Sequence, residues 1–369
     1  MTRAAVRPLW LAAPSRYAGR SRRHARWLLA VLALLLLAAL IAPGTSGSAA
    51  AGTEAADQAN EIVYARIVDD LRHGDDYYTA TARALRSAGA PLQPFHVFRL
   101  PTLAVLQAKV SQVSAALLLY ALALLSLFAW WKRLADAVPR FPARPIALLL
   151  AAVGVTSAVL GHLVATHDLW AGLIVSLSLA SRKPGRWITA AALGLSAALI
   201  RETAALYVVV MLVLALLEGQ RREAAGWAGA LALFAVAVVL HAQAVASVTG
   251  PLDQSLAAWS GASGFGFAVR AVASATALSL LPPALGAIAV ALSLAGWSAW
   301  RDPLAARALA TIVVQLLSMS FLAGPDTADW AFLIAPIAPI GLTFFPDALR
   351  DLSRAALDRR RITVTRTSA

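Results

Sequence analysis

Ten apolar stretches follow one another along this chain, and that succession leaves it few ways to fold outside a lipid bilayer. They cover approximately residues 27–42, 112–131, 146–165, 169–180, 187–200, 203–217, 226–243, 271–299, 304–323 and 330–346. A hydrocarbon core about 30 Å thick is crossed by roughly 20 apolar helical residues, a length the longer stretches reach. Of the 369 residues 60% are hydrophobic, and the mean hydropathy of +0.70 is far beyond what a soluble core requires. The runs are continuously apolar, whereas barrel strands alternate, so helices remain as the spanning element. The expected class is all-α: a polytopic integral membrane protein with about ten transmembrane helices. A basic arm over 1–26 precedes the membrane domain over 27–346, and a basic tail over 347–369 follows it.

The net charge of +13 would point a soluble chain toward nucleic acid. Here the arginines and lysines fall between apolar runs in a regular order that orientation explains, and nucleic acid is excluded as a partner. With the N-terminus in the cytoplasm, alternate connections read Lys132-Arg133 to Arg144, Arg182-Lys183 to Arg186, Arg221-Arg222, Arg301 to Arg307, and the tail from Arg350 to Arg361. Both termini are then cytoplasmic, and the connections left for the outside are 44–111, 166–168, 201–202, 244–270 and 324–329. Trp27, Trp130, Trp131, Trp170, Trp187, Trp300 and Trp330 stand at the ends of these spans, where interface anchors belong. Arginines before the first span and the Ala-rich stretch at 48–51 also fit a signal peptide, but the many later spans favour a first membrane helix. The inner, plasma membrane of a cell is the expected location. With no cysteine, neither disulfides nor thiolate metal sites are available.

Residues 187–217 admit two readings. One continuous helix would measure roughly 46 Å, too long for the bilayer, and would turn every later basic connection outward. Two short helices with a turn at Arg201-Glu202 keep the charge pattern. Such a turn lies below the membrane surface, where only protein or a water-filled cavity tolerates it.

Charges at membrane depth are costly and commonly face a cavity. On this topology Asp75, Asp76, His162, His167, Asp168, Arg201, Glu202, His241, Asp253, Arg270, Asp326 and Asp329 all fall toward the outer side. The first outer loop is the most elaborate connection. Residues 54–88 have helical character with interspersed charge, as in a helix lying on the membrane surface. Gly89-Ala90-Pro91 and Pro94 break it, and a second amphipathic segment over 102–111 leads into the next span. The five histidines outside the N-terminal arm show no recognised ligand spacing, so no metal ligand is assigned and a divalent ion is kept only as a minor alternative. Gly261-x-x-Gly264-x-Gly266 stands outside any strand-turn-helix context and reads as a flexible loop.

The basic N-terminus and first span, Asp76-Tyr77-Tyr78 followed by Ala82-Arg83-Ala84-Leu85-Arg86, the short paired helices at Arg201-Glu202-Thr203, and Asp326-x-x-Asp329-Trp330 before the last span resemble the small bacterial members of the GT-C superfamily of membrane glycosyltransferases. The resemblance covers roughly residues 25–350. It implies a catalytic carboxylate in the first outer loop and a sugar carried on a polyprenyl phosphate or diphosphate, with membrane lipid around the site and no further cofactor. The chain lacks the soluble C-terminal domain of the larger members, and its acceptor is not legible.

Transfer to a hydroxyl needs a base near the attacking oxygen and a cation where the leaving phosphate gathers charge. Asp76 is the expected base, with Asp75 the weaker choice. Arg201 or Arg270 is expected to hold the phosphate, since guanidinium matches its oxygens in pairs. Glu202, Arg99, Tyr77, Tyr78, His167 and Asp329 complete the expected substrate side. The plainer readings are that Asp76 caps a helix and that Arg201 and Glu202 form an ion pair closing a turn. A transporter or flippase, or a non-catalytic subunit of envelope-glycan assembly, would also require polar groups here, although a transporter would be expected to show internal repeats.

Overall fold

The computed structural model describes residues 7–41, 47–159, 161–256, 262–322 and 327–358, with the side chains of 47–59, 161 and 162 left aside. Among the described residues it is all-helical, with no β-strand. The helices are α1 (Arg22–Leu40), α2 (Gly47–Arg72), α3 (Tyr77–Ser87), α4 (Thr102–Ala108), α5 (Gln112–Ala137), α6 (Ala143–Val155) and α7 (His167–Ser181). They continue with α8 (Ile188–Ile200), α9 (Ala205–Leu217), α10 (Arg221–Val248), α11 (Gly264–Ser274), α12 (Pro283–Ala299), α13 (Pro303–Phe321) and α14 (Phe345–Leu357). Four of them, α1, α5, α10 and α13, are long and apolar enough to cross a membrane.

The break at 201–202 is real. Arg201 leaves helical geometry at φ −139° and ψ 117°, and a single 3-10 turn over Glu202–Ala204 starts the next helix. A Cβ placed on Gly194 of α8 would lie 3.3 Å from the ring of Tyr207 on α9. Thirteen residues of continuous helix would hold these two roughly 20 Å apart, so the chain doubles back into a hairpin.

Three expected elements take another form. The surface segment 54–88 is two helices, because Gly74, at φ +98°, turns the chain between α2 and α3. The stretch 271–299 is interrupted: α11 begins before it, and α12 starts only at Pro283, a residue that fits a first helical turn but not an interior. The stretch 330–346 forms no α-helix before α14 begins at Phe345. It consists of two 3-10 segments, Asp329–Leu333 and Ala338–Phe344, buried against α6, α7 and α12. Glycines permit that approach: a Cβ on Gly172 would strike the carbonyl oxygen of Phe332, and one on Gly296 that of Gly341. Small residues at contacts are how apolar helices pack where lipid removes the hydrophobic drive. The indole of Trp297, fully buried, donates to the Ile337 carbonyl at 3.2 Å and holds the segment in place.

The tryptophans largely serve this interior. Trp130, Trp170, Trp300 and Trp330 are all under 9% exposed, while Trp27 at 63% and Trp131 at 44% face outward. The expected ring of interface anchors is therefore reduced to a few, the others being core.

The basic connections do meet at one end of the molecule, called here the basic end. Asp347 of α14 accepts the backbone N–H groups of Leu9, Trp10 and Leu11 at 2.7–2.9 Å, and Asp351 accepts the Ser15 hydroxyl at 2.7 Å. Ala12 and Arg16 donate to the carbonyls of Ala137 and Ala299, tying the N-terminal arm to the ends of α5 and α12. Beneath them lies an ionic quartet, buried except at Glu218. Arg182 grips Glu223 through Nε and Nη2 at 3.1 and 2.8 Å, and Arg307 grips Glu218 through both Nη atoms at 2.7 Å. Arg182 and Arg307, expected to mark orientation, are thus 1% and 0% exposed and paired with carboxylates.

Candidate functional site

At the opposite end, the loop end, α2, α3 and α4 close over the turns that join α6 to α7 and α8 to α9. Gln107 of α4 donates to the Val164 carbonyl at 2.9 Å, and the Leu100 N–H donates to Glu202 Oε1 at 3.1 Å. α10, at roughly 42 Å by its 28 residues, is longer than a bilayer core, and its last turns reach the loop. There Val245 packs against Ala82, Leu92 and Phe98.

The centre of this end is an ion pair. Arg201 and Asp168, each 3% exposed, meet at 2.9 Å between Nε and Oδ1. The neighbour in sequence, Glu202, is farther off, with Oε2 3.8 Å from Arg201 Nη1. Arg201 therefore pairs first with a residue 33 positions away, and the expected Arg201–Glu202 turn closure is secondary. Asp168 lies in the first turn of α7, where a negative charge also answers the helix dipole. Arg99 stands within electrostatic reach of Glu202, His167 and Tyr77. Two guanidiniums and two carboxylates make the group neutral as it stands.

Tyr77 is 7% exposed and donates its hydroxyl to the Arg99 carbonyl at 2.6 Å. Burial, above all, raises its pKa, so the phenol keeps its proton. The Tyr78 hydroxyl lies 3.2 Å from His241 Nδ1, and His241 Nε2 lies 3.2 Å from the Phe98 carbonyl. A carbonyl can only accept, so in the neutral ring Nε2 carries the hydrogen, Nδ1 accepts, and Tyr78 is the donor. Burial and, second, the charge of Asp76 raise the pKa of Tyr78.

Asp76 is the N-cap of α3. Its Oδ2 accepts from the N–H groups of Tyr78 and Thr79 and from the Thr79 hydroxyl at 3.1–3.2 Å, while Oδ1 takes none of these bonds. Asp75 is turned to Arg83 at 2.8 Å on the exposed side of the loop. The capping reading of Asp76 is thus realised, through one of its two oxygens.

His167, 6% exposed, meets the ring of Tyr64 edge-on at 5.0 Å between centroids. Its Nε2, the Tyr64 hydroxyl and the Thr203 hydroxyl are buried without a hydrogen-bond partner. Unsatisfied buried polar atoms cost about 1–3 kcal/mol each, so these three depart from the usual pairing of a packed interior.

The structure brings Arg99, Arg201, Glu202, Tyr77, Tyr78 and His167 to one end, with Asp76 beside Tyr78. Two further expected members are placed by other contacts. Arg270, on α11, donates to the Leu40 carbonyl at 3.0 Å at the end of α1, and Asp329 opens the 3-10 turn packed on α7. Asp326, Gly261 and the side chain of His162 lie outside the described residues. Sequence reasoning missed Tyr64, which the spacing Tyr64, Ile67, Val68, Leu71 on one face of α2 signals, and it left His241 and Asp168 without partners.

No family model, curated protein or solved structure matches this chain.

Proposed function

We propose that the chain is a membrane glycosyltransferase that moves a sugar from a polyprenyl-phosphate-linked donor to a hydroxyl acceptor on the extracytoplasmic face, with both termini in the cytoplasm. The observation that carries this reading is the shared polar centre. The helices of loop 44–111 close over the buried Arg201–Asp168 pair, and Glu202 joins the two layers through the Leu100 N–H. A lipid-phosphate leaving group needs guanidinium donors at membrane depth, which Arg99 and Arg201 supply, with Tyr77 and Tyr78 beside them. A base must sit at the edge where an acceptor arrives, and Asp76 Oδ1 meets that requirement. The cap role of Asp76 favours a second reading, a non-catalytic subunit of envelope-glycan assembly that needs the carboxylate only to start α3.

Sugar transfer from a polyprenyl-phosphate-linked donor by the purified protein separates the two. Asp76→Asn keeps a capping oxygen, and Asn is among the best caps, so α3 stays formed. Loss of turnover in that variant supports the enzyme; turnover equal to the unmodified protein removes Asp76 as base. Reporter fusions after residues 60 and 185 test the sidedness and should read outside and inside. A periplasmic signal at 185 would overturn the orientation.

A further inference from the structure

One face of α1 carries a pattern that neither the ion pairs nor the sugar chemistry uses. α14 covers the side of α1 formed by Ala25, Leu28 and Leu29, which pack with Leu352, Ala355 and Ala356. The other side is uncovered. At its start Arg22, Arg23, Arg26, Trp27 and Ala30 line an open groove of about 530 Å³, with no carboxylate in the lining. Arg22 is tied at one edge, donating from Nε to the Ala356 carbonyl at 3.3 Å. Beyond the arginines the same face continues as Trp27, Val31, Leu34 and Leu37, each 49–64% exposed.

From Arg23 to Leu37 the helix rises roughly 21 Å, enough for a headgroup and the upper part of one leaflet. The order is therefore cationic pocket, amphipathic indole, apolar stripe. It matches a phospholipid lying along the helix, with its phosphate among the arginines and its chain on the leucines. We propose that this face is a binding site for an anionic phospholipid of the leaflet at the basic end. A soluble phosphate would use the arginines but leave the stripe without a role.

Trp27 serves as the reporter. The protein is placed in nanodiscs of phosphatidylcholine doped with brominated phosphatidylglycerol or with brominated phosphatidylcholine, and quenching of its emission is followed. Subtracting the signal of Trp27→Phe isolates this indole from the other ten tryptophans of the chain's 11. The brominated anionic lipid should reach half-quenching at a severalfold lower fraction than the zwitterionic one. Removing both unpaired cations with Arg23→Gln and Arg26→Gln should erase the preference, at about fivefold for each charge. Addition of glycerol phosphate should leave the quenching unchanged. Equal quenching by the two lipids, an unchanged preference in the double variant, or displacement by glycerol phosphate would each overturn the site. Should the double variant fail to fold, raising salt from about 0.05 to about 0.5 M on the unmodified protein decides the matter, because a preference held by exposed arginines must fall with screening.

Discussion

Both ends of the helical bundle bury arginine against carboxylate, yet they finish the job differently. At the basic end Arg182 and Arg307 each grip a glutamate through two nitrogens, the Trp227 indole adds a bond to Glu223 at 3.3 Å, and Gln220 completes the set. Among the described residues the atoms left over there are the Nε of Arg307 and of Arg133 and the Thr343 hydroxyl, and both Nη atoms of Arg307 are engaged. At the loop end Arg201 reaches Asp168 through one nitrogen, and whole side-chain ends are left over: the Tyr64 phenol, the Thr203 hydroxyl and His167 Nε2. A closed network specifies packing. An open one at the same burial leaves hydrogen-bonding capacity that the described residues do not use. The two ends therefore ought to respond oppositely to mutation.

The largest effect belongs to the closed end. Glu223→Ala leaves the 1%-exposed guanidinium of Arg182 facing a cavity, and breaking one side of a buried pair costs about 3–5 kcal/mol. Thermal unfolding in detergent should show a large loss, with sugar transfer per folded molecule unchanged. A variant that keeps its unfolding temperature but loses turnover would erase the distinction between the ends.

The open end should show the reverse. For Asp76→Asn the expected loss of turnover is about 10²-fold or more, or about 2.7 kcal/mol of barrier, with little change in unfolding. Asp75→Asn should be milder, because Asp75 only pairs with exposed Arg83. Arg201→Lys is a smaller test of the same end. Lysine keeps a cation opposite Asp168 but cannot also reach toward Glu202, so donor binding should weaken about tenfold while the fold persists. Equal donor binding by titration would take Arg201 out of the site and leave it a structural residue like Arg182.

Part of this contrast was readable beforehand. Hydropathy sufficed for the helical class, and the turn at Arg201 followed from helix length together with the basic connections, which one continuous helix would have turned outward. The alternation of basic connections predicted which turns share an end. What hydropathy cannot report is the backbone state of an apolar stretch: 330–346 is as apolar as a helix yet runs as 3-10 turns, fixed by Pro336, Pro339 and the glycine contacts of Gly172 and Gly296. Nor does it report partners distant in sequence. Arg182 and Arg307 look like topology markers until Glu223 and Glu218 are found beside them, and Arg201 looks paired with Glu202 until α7 delivers Asp168. For the site, the residues at the loop end were legible from charge placed at membrane depth, whereas their roles depended on geometry: a cap for Asp76, a donor for Tyr78.

The smallest expected effect concerns how the loop itself is held. Unlike the basic end, the loop is clasped at the surface: Arg86 donates from Nε and Nη2 to both oxygens of Asp253 at 2.9 and 2.7 Å, and from Nη2 to the Val248 carbonyl at 2.8 Å. The Arg86 hydrogen bond, followed by the Gly250 N–H, holds the Asp253 pKa down to about 2 from the ordinary 3.8. A carboxylate depressed in the folded state contributes stability that is present above its unfolded value and is lost as pH falls through the folded one. The clasp should therefore stay closed from neutral pH to about 4 and open only as pH approaches 2. Spin labels at Ser87 and Leu252 read this directly: their separation should be constant over the upper range and should broaden only at the acid end. Asp253→Asn, which weakens the ion pair at every pH, should broaden it already at neutrality while leaving the unfolding temperature nearly unchanged, since solvent screens a surface ion pair. A narrow, pH-independent separation in that variant would show that the loop is held by the buried contacts of Val245 with Ala82, Leu92 and Phe98 alone, and that the two ends are alike in depending on their interiors.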